Sequence, residues 1–214
     1  MPSSPTWLEI PRHTCVVMPV GSYEQHGPHL PLDTDTQIAM HLCAVATQGI
    51  DRIVVAPPLT ITASGEHAGF PGTISIGTNA LATVIVELVR SCDWASGVIL
   101  VHGHGGNVEA VRSATNLLNS EQRNVANWWP HIDGGDAHAG NSETSLMLAI
   151  NPHAVRTEKL DIGNVQPINE ILRELQTRGV QAVSTNGILG DSRTATAEHG
   201  ERLLAMLIKD LQEF

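Results

Sequence analysis

Residues 97–101, Gly-Val-Ile-Leu-Val, form an unbroken, β-branched apolar run with no polar residue at alternate positions. Such a strand is buried on both faces, which requires a sheet covered on both sides. Further short apolar runs lie at 14–20, 52–56 and 73–76, with 123–129 as another strand candidate. Helical stripes fall between them. Ile38, Leu42, Val45 and Ala46 follow a Thr34-x-x-Gln37 capping-box pattern, and Leu81, Val84, Ile85, Leu88 and Val89 follow Thr78. A helix is expected over 108–118, and another through Leu148 with Asn141 or Ser142 as its cap. Leu203, Leu204, Met206, Leu207 and Leu211 mark a last one over roughly 194–213. Strands alternating with helices predict right-handed βαβ units. The expected fold is α/β and three-layered, with a mostly parallel central sheet and helices on both faces.

The chain has 214 residues, which suits one domain spanning 1–214. Its 42% apolar content fills a core, and 16% charged residues is too few for a disordered chain. A formal charge of −10 argues against nucleic acid and against an anionic membrane surface as partners. No apolar run is long enough to span a bilayer. Cys15, Cys43 and Cys92 are odd in number and form no C-x-x-C pair. Neither a disulfide framework nor a thiolate zinc site is expected. Free thiols fit a reducing compartment, and residues 1–5 lack the basic and apolar regions of a secretory signal. The expectation is a soluble, cytoplasmic protein.

The chemistry concentrates in residues 21–35, Gly-Ser-Tyr-Glu-Gln-His-Gly-Pro-His-Leu-Pro-Leu-Asp-Thr-Asp. Three carboxylates and two imidazoles share this stretch with little apolar filling. A solvated acidic loop is the plain alternative. A divalent metal is the other means of neutralising such a cluster. The cluster follows the first strand, His104 follows the 97–101 strand, and Asp136-Ala137-His138 follows the strand ending at Trp129. Ligands in open α/β sheets bind beyond the carboxyl ends of the strands, so three segments deliver ligand-type residues to one edge. Glu24 and His26, two apart, share a face roughly 7 Å apart at about 3.3 Å per residue, which suits two neighbouring ions. Asp35 opens a helix, where the dipole favours an anion, and is placed to bridge them. His104 sits among Gly103, Gly105 and Gly106, which let a ligand approach the backbone. Glu143 lies in the first turn of the helix after His138.

Mixed histidine and carboxylate ligands suit zinc, manganese or iron(II), and the lack of cysteine ligands indicates a catalytic site. The candidate metal ligands are Glu24, His26, Asp35, His104 and Glu143. They are expected to hold two divalent ions, which suits hydrolysis of an amide. His138 is the candidate catalytic residue, and Glu66, His67, Gly105 and Gly106 are the candidate substrate contacts. His102 is expected to pack or to support a ligand, and His29 to hold a ligand through a hydrogen bond. His13, His41, His131, His153 and His199 are assigned structural or surface roles. Core packing is expected of Trp128 and Trp129.

The motifs Gly-Ser-x-Glu-Gln-His-Gly-Pro-His-Leu-Pro-x-x-x-Asp at 21–35, Phe70-Pro71-Gly72-Thr73, Gly103-His104-x-x-Asn107 and His138-Ala139-Gly140-x-x-Glu143-Thr144-Ser145 resemble the creatininase (creatinine amidohydrolase) family. The resemblance runs from about residue 14 to about residue 200. It implies an α/β fold, a two-metal amidohydrolase site and a homo-oligomer, often a hexamer. Glu24, His26, Asp35 and His104 resemble the family's metal ligands, with Asp35 as the bridge, and His138 a substrate-facing residue. Two positions depart from the creatininases proper. Gly106 stands where they have a glutamate, leaving Glu143 as the best fifth ligand. The tryptophan they carry before the later histidine motif is missing, with Gly134 near that place.

Both departures weaken creatinine as substrate. The Gly-His-Gly-Gly-Asn variant and the Ser64-Gly65-Glu66-His67 loop look more like the branch serving mycofactocin biosynthesis. That likeness implies a peptidase that cleaves the modified precursor peptide and releases a C-terminal fragment derived from Val and Tyr. The alternatives are a small cyclic-amide or formamide hydrolase, a non-catalytic metal-binding scaffold for a peptide, and a mononuclear iron(II) oxygenase. The last is disfavoured because the ligands suffice for two ions.

Overall fold

The computed structural model describes residues 5–214. Four strands, β1 (Cys15–Val20), β2 (Ile53–Val55), β3 (Gly97–His102) and β4 (Val125–Trp128), form one parallel sheet in the order β2-β1-β3-β4. The chain leaves β1 for β2 on one side and returns to β3 on the other. The loops after β1 and β3 therefore diverge, opening a crevice at a topological switch point.

Right-handed crossovers place the β1–β2 helix on one face of this sheet and the next two on the other. Accordingly α1 (Thr34–Ala46) packs with α4 (Asn141–Ile150) and α7 (Ala197–Glu213), around Leu42, Met147 and Leu207. On the opposite face α2 (Thr78–Ser91) packs with α3 (Val108–Ser120), around Leu81, Ile85, Val111 and Leu118. The predicted three layers are present. The three cysteines are free, with Cys43 on the buried face of α1. No helix among the described residues is long and apolar enough to cross a membrane.

Several local expectations are corrected. Residues 73–76 form no strand, because their amides bond two separate loops: Ile74 donates to the Tyr23 carbonyl and Ile76 to that of Thr62. Thr34 is the first residue of α1 rather than its cap. Its hydroxyl donates to the Pro31 carbonyl, and Gln37 reaches Asp33 instead. Neither Asn141 nor Ser142 caps α4. Their amides are accepted by the carboxylate of Asp136, which caps the helix from outside it. The last helix starts at Ala197, with Thr196 accepting from the His199 amide. Two further helices, α5 (Ile168–Arg178) and α6 (Val180–Val183), cover the crevice side and are additional to those expected, although Ile168, Ile171, Leu172 and Leu175 recur at helical spacing.

His29 holds no ligand. It is buried, its Nε2 meets the Thr144 hydroxyl at 2.8 Å, and its Nδ1 has no partner. Burial pushes its pKa down to about 4, with the nearby His26 acting in the same direction. Between the unfolded value of about 6.5 and this lower one, the unfolded chain binds the extra proton. Stability is therefore complete above about pH 6.5 and falls toward pH 4, by about 3 kcal/mol at most. Chemical denaturation across that range is expected to give a shallower pH slope for His29→Gln. An unchanged slope would remove His29 from the acid response.

Candidate active site

The loop after β1 is folded back on the start of α1, because at Gly21 any side chain would collide with Thr36. Thr36 donates to the Ser22 carbonyl at 2.9 Å, and the Ser22 hydroxyl donates to Asp35 Oδ2 at 2.7 Å. Gly103, at the end of β3, lies so close to the Asp35 carbonyl that a Cβ would overlap it. These two close approaches bring the segments from β1, α1 and β3 together. Asn107 ties the loops further, donating to the Gly21 carbonyl at 3.0 Å and accepting from the Ala63 amide at 3.1 Å. Glu143 arrives on α4, positioned by the cap from Asp136, and accepts from the Ala139 amide at 2.5 Å.

The predicted ligands converge. Asp35 Oδ1 lies 2.9 Å from His26 Nε2, and Oδ2 lies 3.3 Å from His104 Nδ1. Glu24 Oε2 is 3.0 Å from His104 Nε2, and Glu143 Oε2 is 3.9 Å from His26 Nε2. Two sets of three, Glu24-Asp35-His104 and His26-Asp35-Glu143, each bring ligand atoms within 4.8 Å of one another and share Asp35. Two overlapping sets add residues expected to serve elsewhere: Glu24-His26-His138 and Glu24-Glu66-His67.

The electrostatics fit a cation. Glu24 is fully buried, yet neither carboxylate oxygen has a hydrogen-bond partner. Leaving a buried carboxylate in that state costs several kcal/mol unless a charge compensates it. Among the described residues, the ion-pair partners of Glu24, Asp35, Glu66 and Glu143 are all histidines. Burial opposes protonation of His26, but the charge and hydrogen bond of Asp35, with Glu143 and Glu24, push it up to about 10. His104 is likewise raised against its burial, chiefly by Glu24 and Asp35. Asp35 is held well below the usual carboxylate range by His26 and His104 despite burial. Burial raises Glu143 to about 7. His138 is pushed well down by burial and by the neighbouring histidines. This donor set fits a pair of divalent ions: oxygen and imidazole atoms around a shared carboxylate, with excess negative charge.

Glu66, His67, Gly105 and Gly106 line a cavity of about 870 Å³, together with His104 and His138. Gly106 has a specific neighbour. A Cβ there would overlap the Glu66 carboxylate, which lies 3.3 Å from His104 Nε2. His102 packs as expected, stacked on Trp129 with ring centroids 3.8 Å apart and bonded to Asn127. Trp128 is buried, with its indole N–H donating to Asp210. Ser22, Gln25 and Asn107, whose amides and hydroxyl orient the others, are additional to the expected site residues, and Asp136, noted as a ligand-type residue, caps α4 instead. The only sequence signal for them was their place inside or beside the motifs.

The profile of the creatininase family, described as creatinine amidohydrolase, matches residues 4–214, so the chain belongs to that family of amide-bond hydrolases. Within it, the chain is 51% identical over 200 residues to the mycofactocin precursor peptide peptidase of Mycolicibacterium smegmatis, covering 90% of this chain and 81% of that one. Among solved structures, a creatininase variant in a Zn–Zn form aligns with a TM-score of 0.76 at 23% identity, covering 94% of this chain and 89% of its own. A creatininase with Mn gives 0.72 at 24% identity over the same shares.

Proposed function

We propose that this chain is a metal-dependent peptidase that cleaves the modified mycofactocin precursor and releases its C-terminal fragment derived from Val and Tyr. The structural observation that carries the metal-dependent part is the buried Glu24 carboxylate, without a hydrogen bond and faced only by histidines, beside a cavity large enough for a peptide end. The likeness to the Mycolicibacterium smegmatis peptidase supports the substrate. Glu24, Asp35 and His104 would hold one divalent ion, and His26, Asp35 and Glu143 the other, Asp35 serving both. Zinc, iron(II) or manganese bound there would activate water and polarise the scissile carbonyl.

The chain's own residues do the remainder. His138, kept neutral by burial, takes a proton on Nδ1 and passes it to the leaving nitrogen. Glu66, His67, Gly105 and Gly106 contact the substrate, and the space above Gly106 is filled by Glu66 from another loop. The same reading expects a homo-oligomer acting in the cytoplasm, checked by light scattering and cell fractionation.

The purified protein, loaded in turn with zinc, iron(II) and manganese, is to be assayed against the modified precursor, creatinine and a formamide. Two ions per chain and turnover of the precursor are expected. Turnover of a small amide alone would replace the peptide substrate. One ion per chain with no turnover would identify a binding scaffold.

A further inference from the structure

Gln25 lies between the two ligand-type residues of the first motif, and its side chain is buried against the far wall of the site. Its amide orientation is fixed from both ends. Oε1 accepts from the Gly27 amide at 2.9 Å, so the amino group faces the Gly187 carbonyl, to which it donates at 3.0 Å. One N–H remains. Two imidazole nitrogens compete for it, His67 Nδ1 at 2.9 Å and His138 Nε2 at 3.1 Å.

The backbone decides between them. His138 Nε2 also lies 2.8 Å from the carbonyl of Gln25 itself, an acceptor only, so Nε2 carries the hydrogen and cannot accept another. The free N–H of Gln25 therefore goes to His67 Nδ1, which must be bare. In a neutral ring the other nitrogen then bears the hydrogen. His67 Nε2 lies 3.2 Å from Glu24 Oε1 and His138 Nδ1 lies 3.8 Å from the same atom, with the two ring centroids 4.5 Å apart. Both residues line the large cavity.

We propose that Gln25 is a positioning residue that holds His67 and His138 both in the Nε2–H tautomer, with the rings turned so that one substrate meets N–H from His67 Nε2 and a bare Nδ1 from His138. His67 is thereby a hydrogen-bond donor to the carbonyl oxygen as it gains negative charge. His138 begins as an acceptor. An O–H bond of the attacking water breaks as an N–H forms at His138 Nδ1, and that proton then moves to the leaving nitrogen as the C–N bond breaks. The tautomer assignment stands on hydrogen bonds alone, whereas its catalytic consequence rests on the hydrolase reading above.

The test uses zinc-loaded protein with 15N-labelled histidine, read by long-range 1H–15N spectra, which separate bare from protonated ring nitrogens. Wild type is expected to show His67 protonated at Nε2 and His138 protonated at Nε2 with Nδ1 bare. Gln25→Glu replaces the donor with an acceptor, so His67 is expected to move its hydrogen to Nδ1 while His138, held by the backbone, keeps its own. The kcat is expected to fall by about 10–100-fold, the usual effect of losing an orienting partner, with zinc content and KM little changed. Gln25→Met, which keeps the bulk and removes the amide, should leave His67 as a mixture of both forms. The same His67 tautomer in wild type and in both folded variants would overturn the proposal. These Nε2–H tautomers, with His67 responding to Gln25 as expected, in a protein that cleaves no amide would leave it standing and sink the hydrolase reading instead.

Discussion

Asp35→Asn is expected to lower metal affinity by more than about 100-fold, beyond the roughly 10–100-fold typical of outer partners, and hydrolysis with it. The side chain is nearly isosteric, so the substitution tests charge rather than shape. Asp35 is buried, and its two oxygens face different histidines, His26 on one side and His104 on the other. No other carboxylate belongs to both of the main ligand sets. An asparagine offers one neutral oxygen and turns two N–H donors toward imidazoles that should be ligands. Elemental analysis of the purified variant, alongside peptide assay, gives the answer. Two ions per chain with full turnover would refute the bridging role.

Gly200→Ala is expected to destabilise the fold even though alanine is the better helix former. Helix α7 crosses α4 with Gly200 against the Ser145 carbonyl, where an added Cβ would overlap the oxygen and come within 3.0 Å of the Ala149 methyl. Alanine gains about 1 kcal/mol of helix propensity. Over-packing at a rigid backbone contact costs about 1–3 kcal/mol, and more for a branched side chain. The clash therefore wins for alanine by about 1 kcal/mol, and Gly200→Val should lose more than about 3 kcal/mol. Activity should fall too, because Glu143 lies two residues before Ser145 on the displaced helix. Urea denaturation of both variants decides it; an alanine variant as stable as wild type would show that the two helices can separate without cost.

The sheet was legible because its strands are buried on both faces, so 97–101 and 14–20 read as plain apolar runs. The segment at 73–76 misled for a physical reason. It is β-branched and extended, yet it bonds two loops and leaves Ile74 and Ile76 exposed. Helix α5 was legible in principle, since Ile168, Ile171, Leu172 and Leu175 recur at helical spacing, although only Ile171 of them is buried. In the site, residues with charge or imidazole announced themselves by type. Glu66 did so only partly, since its contact with the space above Gly106 joins segments forty residues apart. Gln25 and Asp136 act through backbone amides and carbonyls, which one residue's identity does not reveal.

The order of translation gives the α4–α7 packing a further meaning. Every candidate ligand precedes residue 144, yet the apolar bed beneath Glu143 is completed by Leu203, Leu204, Leu207 and Leu211, made some sixty residues later. Gly187, whose carbonyl anchors Gln25, is also late. A nascent chain that has just passed Glu143 thus carries all five candidate ligands while lacking the parts that align them, so amide hydrolysis has to wait for residues beyond 200.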